Sequence, residues 1–155
     1  MASADFFSLV KVVCEHVEGV WYGDVSTVFT ESASAAAEHK HFDIVKYFVP
    51  HKVTDQEDLS SVLGGACKGG DLSIVEYLIY HGAQNRRFER DDPYPIASAA
   101  RAGHLHIIQY FFDRNIVSEA TSPGVSIECA CKAAEGGHLD VVKYETPRGY
   151  RTPEI

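Results

Sequence analysis

Histidine and cysteine are the side chains here best able to hold a metal or attack a substrate, and their spacing decides whether they can cooperate. His39 and His41 stand two apart, as do His104 and His106. On a helix such pairs point away from each other, whereas a metal site needs ligands returning to one face. No His-Glu-x-x-His set occurs, and Cys14, Cys67, Cys129 and Cys131 include no Cys-x-x-Cys pair. A Gly-x-Ser-x-Gly elbow, a Walker-type phosphate loop and a dinucleotide fingerprint are absent too. These absences point to reduced, partly buried thiols, no enzymatic activity and no cofactor. The alternative is a metal-binding or enzymatic site assembled from histidines and cysteines of distant segments.

A second chemically loaded stretch is Arg86-Arg87-Phe88-Glu89-Arg90, three guanidinium groups around a ring in a chain with 14 Lys and Arg against 22 Asp and Glu. Arginine and aromatic side chains dominate binding hot spots. A guanidinium meets a carboxylate or phosphate with two parallel hydrogen bonds. Arg86, Arg87, Phe88 and Arg90 are therefore the first candidates for contact with a partner. In the opposing reading, Glu89, Asp91 and Asp92 neutralise the arginines while Phe88 folds back onto the chain. Trp21 and Tyr22 are a second candidate contact pair, against packing at the N-terminal end.

The elements that must position these residues repeat. Ile44, Ile74, Ile107 and Val141 fall in register 30, 33 and 34 residues apart, and each is followed three residues later by a tyrosine. A period near 33 marks a solenoid of stacked units. In the third unit Leu105, Ile108, Phe111 and Phe112 form one apolar stripe, with Ile107 and Tyr110 beside it. A helix apolar on two sides needs cover from its neighbours, so interfaces between units should carry the stability. Small residues precede it: Ala36 and Ala37, Ala66 and Cys67, Ala99 and Ala100, Ala133 and Ala134. They let the first helix of each pair approach the second. Gly70, Gly103 and Gly137 suit left-handed helix ends, where the first unit has Lys40.

Gly103-His104-Leu105, Gly137-His138-Leu139 and the loop Gly82-Ala83 together resemble the ankyrin repeat family. The likeness covers about residues 31 to 144. It departs at the helix entry, where Tyr94-Pro95-Ile96-Ala97 is the nearest match and Glu31-Ser32-Ala33-Ser34, Ser61-Val62-Leu63-Gly64 and Glu128-Cys129-Ala130-Cys131 stand elsewhere, all without the family's Thr and His. The resemblance implies an all-α solenoid of about four helix-turn-helix units joined by hairpin-like loops. It also implies a binding surface on the concave face and loop tips.

The expected organisation is an N-terminal helical cap over residues 1–30, with a helix at about 5–18. Repeats follow at 31–60, 61–93, 94–127 and 128–144, then a mobile tail at 145–155. The last repeat should be truncated, because Glu145-Thr146-Pro147 follows Tyr144 where other copies have an apolar pair. Self-association through that end is a further expectation. Gly64-Gly65 inside a first helix suggests close packing rather than a hinge. The net charge of −8 disfavours nucleic acid and anionic membranes as partners. No stretch is apolar for 18 residues and no signal leader is evident, so a soluble, intracellular, cytoplasmic protein that binds another protein is expected.

Overall fold

A computed structural model describes residues 8–13, 15–16, 25–86, 94–118 and 120–149, all helix, turn or loop. Residues 8–13 and 15–16 are helical. They are followed by α1 (Val25–Glu38), α2 (Phe42–Phe48), α3 (Gln56–Gly69), α4 (Leu72–Tyr80), α5 (Pro95–Ala102), α6 (Leu105–Asp113), α7 (Val125–Gly136) and α8 (Leu139–Gly149). The odd-numbered helices stack on one another as an inner layer, and each also packs on the even-numbered helix that follows it. This is the expected all-α repeat solenoid.

Side-chain size explains the two layers. Ala33, Ala37, Ala66, Ala99, Ala100 and Ala133 are all fully buried on inner helices, where short side chains let backbones come close. Outer helices contribute Val45, Phe48, Ile74, Leu78, Ile107, Ile108 and Phe111, equally buried. Burying each of these larger groups stabilises by about 1.5–3 kcal/mol. The register residues Ile44, Ile74, Ile107 and Val141 all lie in this core. Aromatic pairs bridge successive outer helices: Phe42 meets Tyr77 edge-on at 5.3 Å, and Phe112 meets Tyr144 at 6.4 Å between ring centres.

Each inner helix ends where the backbone turns left-handed. At Gly103 (φ 80°) the Gly103 N–H donates to the Ala100 carbonyl and the His104 N–H to the Ala99 carbonyl. This pairing satisfies the carbonyls that a helix end leaves open. Lys40 adopts the same turn with φ 64°. A residue with a Cβ is strained there by about 1 kcal/mol. Lys40→Gly is therefore expected to stabilise the chain by up to about 1 kcal/mol, read as a raised denaturation midpoint; an unchanged or lowered midpoint would mean that the lysine stem repays the strain. Asn115 holds a positive φ of 52° where its repeat lacks the loop glycine.

Three expectations need correction. The last helix is not truncated at Tyr144: α8 runs through Pro147 to Gly149, with Glu145 fully buried. The Arg148 guanidinium covers the rings of Phe112 and Tyr144 and donates to the Tyr144 hydroxyl at 2.8 Å. Residues 145–149 thus belong to the stack, and residues 150–155 of the expected tail lie outside the described residues. The boundary at residue 30 falls inside α1, because Phe29, Thr30, Ala33, Ala36 and Ala37 form one buried stripe of one helix. Only one of the paired glycines is there for packing. A Cβ on Gly65 would collide with the Ser34 carbonyl of α1, whereas one on Gly64 would meet nothing within 4 Å.

Candidate functional site

Polar groups between repeats set the shape of the inner face. His104 Nε2 lies 3.0 Å from the Lys68 carbonyl and His106 Nε2 lies 3.1 Å from the Gly70 carbonyl. A carbonyl only accepts, so both ring nitrogens carry a proton and both rings tie the third repeat to the second. Burial holds the His104 imidazole below the ordinary histidine range. The neighbouring charges of His106, Lys40 and His138 act in the same direction, against the pull of the Lys68 carbonyl. The folded chain therefore favours the neutral ring. That contribution is complete above the unfolded value of about pH 6.5 and is lost as pH falls from there through the lower folded value. Thermal melting from about pH 7.5 to about pH 5 should show the midpoint declining in that window, with a flatter profile for His104→Gln. Equal slopes for the two proteins would remove His104 from the account.

The entry to α5 is closed by side chains from other segments. The Ile96 N–H donates to Asn85 Oδ1 at 3.0 Å, the Gln84 N–H to Ser60 Oγ at 3.2 Å, and the Tyr94 N–H to Glu128 Oε1 at 2.9 Å. The Ile96 and Tyr94 bonds satisfy amides at the helix start, the role of the missing Thr and His, and the Gln84 bond ties the preceding loop to α3. They also fix the loop that carries Arg86.

A shallow polar groove of about 330 Å³ lies across the inner helices of three successive repeats. Ser34 and Glu38 of α1, Ser61, Gly64 and Lys68 of α3, Ser98 of α5 and Arg86 of the loop line it. The Ser34 hydroxyl donates to the Ser61 carbonyl at 3.4 Å, and Lys68 Nζ pairs with Glu38 Oε1 at 2.8 Å. The Lys68 side chain is 59% exposed, so this pair contributes little to stability. No carboxylate among the described residues pairs with Arg86. Glu38, Lys68, Arg101 and Glu135 each stand two residues before the left-handed turn of their repeat, giving the inner face a row of charges. A larger apolar cleft, about 450 Å³, lies at the N-terminal end between residues 9–13 and α1 and α2.

Of the six residues singled out as partner contacts, Arg86 is exposed at the rim of the polar groove. Arg87, Phe88, Arg90, Trp21 and Tyr22 lie outside the described residues. The histidines and cysteines do not converge: among the described residues no three His, Cys, Asp or Glu side chains are grouped as metal ligands. Cys67 and Cys129 are buried and Cys131 is exposed, all three as free thiols. Burial pushes the Cys67 thiol far up, away from the reactive thiolate.

Residues 66–112 match the family model described as ankyrin repeats (many copies). The chain is also 33% identical over 104 residues to the ankyrin repeat and KH domain-containing protein CBG24701 of Caenorhabditis briggsae, covering 66% of this chain and 4% of that protein. The chain is an ankyrin repeat protein. It is 25% identical over 123 residues to the ankyrin repeat and KH domain-containing protein mask-1 of Caenorhabditis elegans, covering 79% of this chain and 5% of that protein. To alpha-latrocrustotoxin-Lt1a of Latrodectus tredecimguttatus it is 30% identical over 115 residues, covering 71% of this chain and 8% of the toxin. The chain thus spans less than a tenth of the length of these relatives.

Ankyrin repeats are in general protein–protein interaction modules, not enzymes. No helix of this ankyrin stack, among the described residues, is long and apolar enough to cross a membrane. Asn85 and Glu128 were not legible as determinants of the inner face. Their partners are backbone amides 11 and 34 residues away, and no short-range pattern reports such pairs.

Proposed function

We propose that this ankyrin stack is a non-enzymatic binding module that takes a protein partner on its concave inner face and loop tips. The observation that carries this is the polar groove spanning three repeats, with the Arg86 guanidinium at its rim and the groove's described carboxylate, Glu38, paired with Lys68 instead. A chain with net charge −8 has few such cations to present, which favours an acidic feature on the partner and disfavours nucleic acid. Arg87, Phe88 and Arg90 extend the same loop in sequence. Trp21 and Tyr22 belong to a second contact region at the N-terminal end. With α8 running to Gly149, the reason to expect self-association through a truncated repeat is gone.

A phage-displayed library of random dodecapeptides tests the face directly. Peptides selected on the wild-type chain should fail to bind a double variant, Ser61→Tyr with Ser98→Tyr, that fills the groove without adding charge and keeps its melting midpoint. Equal binding to the double variant, or no enrichment on the wild type, would overturn the concave face as the binding surface.

A further inference from the structure

We infer that the groove holds an extended, acidic peptide segment whose main chain crosses directly over Gly64 while one of its carboxylates pairs with Arg86. This deepens, and rests on, the concave-face assignment. Gly64 sits in the interior of α3, where glycine is a poorer helix former than alanine. Its neighbour Gly65 is needed for contact with α1, but a Cβ on Gly64 would enter open space in the groove. No contact within the described chain calls for a missing side chain there. What the glycine does provide is a bare stretch of helix backbone that another chain can touch. Glycine is the residue that permits such close approach of a ligand to main chain.

The walls say what kind of chain fits. Among the described residues no hydrogen bond occupies the Ser61 or Ser98 hydroxyl. An extended segment has main-chain N–H and C=O groups to offer them. The apolar face of an amphipathic helix would instead leave these hydroxyls buried without partners, which costs binding energy. Arg86 supplies the charge. Its guanidinium can hold a carboxylate through two parallel hydrogen bonds, and the Glu38 carboxylate already engages Lys68. An acidic segment is thus matched to Arg86, and a basic one is not.

The test uses the dodecapeptides selected on the wild-type chain, measured against Gly64→Gln and Arg86→Ala. Glutamine is a good helix former and its Cβ meets no atom, so Gly64→Gln should melt at a higher temperature than wild type while binding these peptides at least about tenfold more weakly. Arg86→Ala should weaken binding by a similar factor without moving the melting curve. Enriched peptides should carry Asp or Glu and bind more weakly as salt is added. Peptides that need the groove, as shown by loss on the Ser61→Tyr, Ser98→Tyr variant, but bind Gly64→Gln as well as wild type would overturn this inference alone. Groove-dependent peptides lacking carboxylates, or indifferent to Arg86→Ala, would overturn the acidic assignment. Peptides indifferent to the double variant would instead overturn the concave-face assignment on which it rests.

Discussion

Gly103→Val is expected to destabilise the chain by about 3 kcal/mol and to lower the melting midpoint by on the order of 10 °C. Two effects add. Gly103 holds φ 80°, a left-handed backbone that a β-branched residue occupies only under strain. A Cβ there would also collide with the His138 imidazole of the next repeat. The side chain cannot escape by shifting the turn, because the Gly103 and His104 amides are both bonded into the end of α5. The measurement is a thermal or urea melt of the variant against wild type. A midpoint within about 1 °C would mean that the turn tolerates a side chain, and the account of the helix ends would be wrong.

Gly65→Ala should cost about 2–3 kcal/mol, an unusually large effect for adding one methyl group. The new Cβ would run into the Ser34 carbonyl, which is backbone and cannot rotate away, so α1 and α3 must separate. That separation would loosen the packing of α1 on α3. Gly64→Ala, one residue earlier, is the control. Its Cβ meets no atom, and the substitution should stabilise by about 0.5–1 kcal/mol through helix propensity alone. Urea melts of the two variants should therefore move in opposite directions. Shifts of the same sign would contradict the assignment of Gly65 to packing and Gly64 to the groove.

The fold was legible because each unit repeats one physical problem. The buried position at Ile44, Ile74, Ile107 and Val141 recurs with a near-constant spacing, and glycines or their substitutes Lys40 and Asn115 stand where the chain turns left-handed. The C-terminal end was misread for a local reason. Glu145 and Pro147 read as helix-ending residues, yet α8 runs through both to Gly149, and the Arg148 guanidinium lies over Phe112 of the preceding repeat, a contact visible only once two repeats lie side by side. The candidate site was half legible. An arginine-rich loop stands out in an acidic sequence, and Arg86 does reach the groove. The groove floor depends on which of two adjacent glycines faces another helix, and sequence alone does not rank them. Nor does sequence foretell that His104 and His106 would each tie one repeat to the next, since both bonds go to main-chain carbonyls 36 residues back.

The central claim, that partners lie on the concave face, is tested most directly by mapping amide chemical-shift changes on the 17.1 kDa chain as a selected dodecapeptide is added. The largest changes should fall on the inner helices and the adjoining loop, at Ser34, Ser61, Gly64, Lys68, Arg86 and Ser98. Changes centred instead on the exposed outer residues Lys46, Glu76 and Tyr80, with the groove residues unmoved, would contradict it.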